Sequence, residues 1–115
     1  MADTAIDRAT FEALQQTAGA EFVRELVDTF LTEAPAMLED LHRALAVQDA
    51  EKFRRAAHSL KSNSNTFGAL TLGAMARELE LGGLSKANEN RGQPLDALAV
   101  EYSRVAAALK DLRNA

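Results

Sequence analysis

Ala50-Glu51-Lys52-Phe53-Arg54-Arg55-Ala56-Ala57-His58-Ser59-Leu60-Lys61-Ser62-Asn63-Ser64-Asn65-Thr66-Phe67-Gly68 carries apolar or small residues at steps of four, three, four and three: Phe53, Ala57, Leu60, Ser64 and Phe67. That spacing keeps one face of a helix inward and predicts a helix over 50–67. Asp49 is the expected N-cap, because its carboxylate can accept from the free N–H groups of the first turn. Gly68 is the expected stop, because a glycine takes the left-handed turn that ends a helix.

The same period extends on both sides. Towards the N-terminus, Phe22, Leu26, Phe30, Leu31, Ala34, Leu38, Leu41 and Leu45 predict a long helix over 20–46, kinked at Pro35 but not split, since the stripe keeps its phase across the proline. Before it, Phe11, Leu14 and Ala18 predict a short helix near 7–17, capped by Asp7 and separated by Gly19. Towards the C-terminus, Leu72, Ala76 and Leu79 predict a helix over 69–85 that Gly82-Gly83 weakens at its end. The polar run from Ser85 to Pro94 reads as a loop. Leu95, Leu98, Tyr102, Val105, Leu109 and Leu112 then form the seam of a last helix over 94–113. The expected fold is all-α: an antiparallel four-helix bundle with a short additional N-terminal helix.

Composition agrees and excludes much else. The 115 residues make one domain, 1–115, and the 23 Ala and 16 Leu against 6 Gly and 2 Pro favour helix throughout. Having no Cys removes disulfides, thiolate nucleophiles and zinc–thiolate sites. A net charge of −4 and 5% aromatics give neither the basic footprint nor the stacking platform of a nucleic-acid binder. No apolar run is long enough to span a membrane. Met1-Ala2-Asp3-Thr4 lacks the opening of a signal peptide. No metal site is expected: His42 and His58 have no further ligands at helical spacing, and His42 reads as solvated surface.

On the 50–67 helix, Arg54, His58, Lys61, Ser62 and Asn65 fall opposite the buried stripe. His58 faces water with a cation one turn before it and another one turn after. Read from the residues alone, it is either ordinary solvated surface or an imidazole set amid positive charge to hold a dianionic group.

Ala57, His58, Leu60, Lys61, Ser64, Gly68 and Ala69 stand at the offsets of a known signature, and on them the chain resembles the histidine phosphotransfer (HPt) domains of bacterial phosphorelays. Ser62 departs from that pattern, where glycine is frequent, but keeps the position small. The resemblance implies that His58 accepts a phosphoryl group through Nε2 and that Lys61 stabilises it. It implies that Glu80, twenty-two residues after the histidine, orients the ring through Nδ1. The other reading of Glu80 is a surface carboxylate that pairs with Arg77 or with nothing. Ser62, Ser64 and Gly68 are expected to serve close packing. Arg54, Arg55 and Asn65 are candidates for partner docking, the two arginines being equally readable as solubilising surface.

The resemblance further implies a phosphocarrier rather than an enzyme, with no cofactor of its own. A receiver domain or a (hybrid) histidine kinase would be its partner, supplying Mg²⁺ and most of the machinery. A cytoplasmic monomer is expected, docking through the exposed side of 50–65 and part of the 20–46 helix. Three other readings compete. The dimerisation region of a histidine kinase would have an acidic residue after the histidine, where Ser59 stands here. A scaffolding bundle rests on the helical pattern alone, and a hydrolase or metalloenzyme finds no catalytic dyad.

Overall fold

The computed structural model describes residues 5–114. Among them are five helices and no strand: α1 (Arg8–Ala18), α2 (Ala20–Val47), α3 (Ala50–Thr66), α4 (Leu70–Glu89) and α5 (Gln93–Asn114). Met1–Thr4, the stretch read as lacking a leader, lies outside the described residues. Helix α2 packs on α3, α3 on α4, α4 on α5, and α5 back on α2, which closes the bundle; α1 lies across α2 and α3. Connections of two or three residues reverse the chain between successive bundle helices, so neighbours run antiparallel.

Local chemistry sets each end. Asp7 caps α1, its carboxylate accepting from Thr10 N–H at 3.1 Å, and Asp49 caps α3 by accepting from Lys52 N–H at 3.1 Å. Gly19, at φ +95°, is the whole link between α1 and α2. Helix α2 runs through Pro35 as one element, with the proline on its exposed face, where the carbonyl it deprives can meet water. At the end of α3, Gly68 N–H donates to the Asn65 carbonyl at 3.1 Å and Ala69 N–H to the Ser64 carbonyl at 2.9 Å, a Schellman closure. Gly68 there has φ +87°, and a Cβ on it would stand 2.8 Å from the Asp7 carbonyl oxygen. Its own carbonyl accepts from Asp7 N–H at 2.8 Å, so this turn also anchors the start of α1.

The core comes from one face of each helix. On α3 the predicted residues Phe53, Ala57, Leu60, Ser64 and Phe67 are all buried, as are Leu72, Ala76 and Leu79 on α4. Burying Leu60 alone is worth roughly 1.5–3 kcal/mol relative to an exposed position.

Three sequence expectations are corrected. On α2 the buried line is Val23, Val27, Phe30, Ala34, Leu41 and Ala44, and Phe22 is 52% exposed. The expected Phe30, Ala34 and Leu41 are buried; only in the first two turns does the line run one residue later, through the smaller Val23 and Val27 rather than Phe22 and Leu26. The run Ser85–Glu89 is helical, not loop, because the chain bends at Gly83 (φ +65°, ψ −162°) and the helix then resumes. Buried Ala87 and a reciprocal amide pair between Asn88 and Gln48 (2.8 and 3.2 Å) hold that second segment against the end of α2. On α5, Glu101 is buried in the seam, with Oε1 accepting from Arg104 at 2.8 Å and Oε2 without a partner, while Tyr102 and Leu112 are only partly buried.

Candidate functional site

The site lies where α3 crosses α4. His58 and Lys61 are three residues apart on α3, so both side chains leave the same face one turn apart. Glu80 comes from α4. Its Oε2 is 2.8 Å from His58 Nδ1, and its Oε1 is 2.9 Å from Lys61 Nζ. Its partners are thus His58 and Lys61, not Arg77. The Lys61 and His58 hydrogen bonds, in that order, hold the Glu80 carboxyl below its ordinary value of 4.5. An ionised carboxylate only accepts, so Nδ1 donates to it, and in the neutral ring Nε2 keeps its lone pair.

Exposure is graded across the trio. The Glu80 side chain is 15% exposed, Lys61 25% and His58 54%. The orienting carboxylate is thus enclosed while half of the imidazole faces solvent.

Close approach of the two helices makes this reach possible. Seven residues after His58 stands Asn65, and seven before Glu80 stands Gly73, two turns along the same antiparallel crossing. The Asn65 amide lies directly over Gly73, where a Cβ would fall 2.1 Å from Asn65 Oδ1. Asn65, a docking candidate from sequence, is therefore turned onto α4. Gly73 is a contributor that the sequence reading missed; an isolated glycine inside a helical pattern was the only signal for it.

The remaining candidates are placed as follows. Arg54 forks onto Glu51 (2.6 and 3.3 Å), raising the arginine and lowering the glutamate from their ordinary values. Arg55 reaches the same carboxylate at 3.7 Å. Ser62 is exposed one turn from His58, its carbonyl accepting from Thr66 Oγ1 at 2.9 Å. Ser64 is fully buried among core residues, and its hydroxyl makes no hydrogen bond. His42 is exposed on α2. Among the described residues no three His, Asp or Glu side chains converge as metal ligands.

Comparison with known proteins now gives this geometry a family. The model of the Hpt domain matches residues 25–115, most of the chain and all of α3, α4 and α5. The chain belongs to the Hpt domain family. Its function is histidine phosphotransfer in a phosphorelay. This Hpt domain is 28% identical to histidine-containing phosphotransfer protein B (HptB) of Pseudomonas aeruginosa PAO1. It superposes on that crystal structure with a TM-score of 0.86, over 98% of this chain and 97% of the other. It is also 32% identical over 78 residues to the sensor protein TorS of Escherichia coli K12. That match takes in 68% of this chain but only 8% of TorS. The resemblance read from the His58 segment and the all-helical bundle are both borne out. No helix of the described Hpt domain is long and apolar enough to cross a membrane.

Proposed function

We propose that His58 is the phosphoacceptor of this Hpt domain and that it accepts through Nε2. The observation that carries this reading is the 2.8 Å contact from Glu80 to Nδ1 on a ring that is otherwise half open to solvent. One nitrogen is occupied and the other is presented. In the forward step, the Nε2 lone pair attacks the phosphorus of an aspartyl phosphate on a receiver domain. The P–N bond forms as the P–O bond to the aspartate breaks, and the aspartate departs as a carboxylate. The positive charge that develops on the ring faces Glu80, and Lys61 meets the phosphoryl oxygens. Because transfer demands mainly positioning and charge stabilisation, the receiver or kinase contributes the Mg²⁺ and the remaining machinery.

A groove of about 750 Å³ between α2 and α3 supports docking beside the histidine. Ser59, adjacent to His58, lies at one side of it, and Met37, Ala44 and Val47 of α2 give it an apolar lining. Arg43, Lys52 and Arg55 outnumber Asp40 in its charged lining, a balance that suits the acidic phosphorylation pocket of a receiver. The domain works as a monomer in the cytoplasm, meeting each partner transiently.

The test is a labelling assay. Wild type and His58→Gln are incubated with phosphorylated receiver domains and Mg²⁺, then examined for acid-labile, alkali-stable phosphate. Label on wild type only is the expected result, with unchanged helical circular dichroism in the variant. A His58→Gln protein that still carries phosphohistidine would overturn the assignment.

A further inference from the structure

Ser62 stands one turn after His58 and is exposed, so it does not serve the close packing that its small size suggests. Round the helix it lies about 40° to one side of His58, whereas Lys61 lies about 60° to the other. Lys61 and its partner Glu80 mark the α4 side of the ring. Ser59, which lines the groove between α2 and α3, marks the opposite side, and Ser62 falls on that one. The two ring nitrogens point in divergent directions. With Nδ1 turned to Glu80 at 2.8 Å, a group on Nε2 stands away from α4, open to the flank that Ser62 occupies.

The Ser62 hydroxyl is also uncommitted. Thr32, Thr66 and Ser103 turn their hydroxyls back onto the carbonyl four residues earlier, at 2.9, 2.9 and 3.2 Å. Ser62 makes no such bond to the His58 carbonyl, and its hydroxyl has no other partner among the described residues. The Cα–Cβ bond of a helical residue tilts towards the N-terminus of its helix, which carries this hydroxyl towards the His58 turn.

We propose that Ser62 is a phosphoryl ligand: its hydroxyl donates a hydrogen bond to an oxygen of the phosphoryl group carried on His58 Nε2. The inference rests on His58 being the acceptor and adds to it the group that holds the product from the side opposite Lys61. The neighbouring donors do not replace it. Arg55, one turn before His58 on the same flank, is drawn to Glu51 at 3.7 Å, and Ser59 lies about 100° round the helix from His58.

Such a donor favours the phosphorylated state. A charged phosphoryl oxygen is a strong acceptor. In the loose transition state for loss of the group, electron density has passed to the departing ring, and the same oxygens accept less strongly. Ser62 therefore slows hydrolysis, in which a water oxygen bonds to phosphorus as the P–N bond breaks. The electron pair of that bond returns to Nε2, and both protons of the water leave with the phosphate.

The experiment uses the whole domain in four versions: wild type, Ser62→Ala, Ser62→Gly and Ser59→Ala. Each is labelled by phosphoramidate, a partner-free donor from which attack by Nε2 releases ammonia. The donor is removed, and decay of phosphohistidine is timed by ³¹P NMR at neutral pH. Ser62→Ala should shorten the half-life about fivefold, the effect of one hydrogen bond to a charged group at an exposed position. Ser62→Gly should match it, because the hydroxyl matters and not the bulk. Ser59→Ala should decay as wild type does. In urea that unfolds the domain, all four should decay alike, since only the folded helix holds the hydroxyl beside the ring.

The proposal is overturned if folded Ser62→Ala decays at the wild-type rate, if Ser59→Ala decays equally fast, or if the difference survives in urea. Failure of the acceptor reading looks different: wild type would take no label on His58, and the role of Ser62 would fall with it.

Discussion

Because an ionised carboxylate can only accept hydrogen bonds, the contact between Glu80 Oε2 and His58 Nδ1 selects, for the neutral ring, the tautomer whose open nitrogen is Nε2. The arrangement depends on Glu80 staying charged. Its carboxyl is held below 4.5 by the hydrogen bonds from Lys61 and His58. A carboxyl depressed in the folded state contributes stability that is fully present above its unfolded value. That stability fades only as pH falls through the lower, folded value. The bridge therefore persists across neutral and mildly acidic pH and releases below 4.5. Following the Glu80 side-chain ¹³C shift in acid should give a midpoint under that value. A midpoint at or above it would mean that the two hydrogen bonds do not hold the charge. At this scale the sequence was informative: the offsets from His58 picked out Lys61 and Glu80. The contact between them was not legible, because it joins two helices and depends on how closely they cross. That closeness rests on Gly73 beneath Asn65, a residue with no chemistry of its own.

Helix α3 holds His58 in place because its ends are fixed as well as its buried face. Asp49 satisfies the Lys52 N–H at one end, and Gly68 turns the chain at the other. Asp49→Ala should cost about 1 kcal/mol of unfolding free energy, read from the urea midpoint. Labelling of His58 should be unchanged, since the cap lies more than two turns from the ring. An unshifted midpoint would show that the cap is not what secures this end. The marked ends and clean apolar period are also why α3 could be read so closely from sequence. Helices α2 and α4 were harder for physical reasons. On α2, Phe22 outweighed Val23 and Val27 in any count of apolar bulk, although the valines face the core. On α4, two glycines followed by a polar run look like an ending. What keeps the helix going is the bend at Gly83 and the amide pair of Asn88 with Gln48, forty residues away. A contact of that range leaves no local trace.

For the molecule as a whole, the bundle carries the exposed His58 imidazole on its side, next to a groove lined by Met37, Ala44 and Val47 and by the charged Asp40, Arg43, Lys52 and Arg55. The overall fold was legible because every bundle helix buries a periodic stripe; the groove was not, since it is formed by two helices and belongs to neither pattern. The most direct test of the acceptor geometry is the position of the phosphoryl group on the ring after transfer from a receiver domain, determined by ¹H–³¹P NMR on intact protein. With Glu80 holding Nδ1, the product should be the Nε2 phosphohistidine of His58. Phosphate on Nδ1, or on any other side chain, would contradict it.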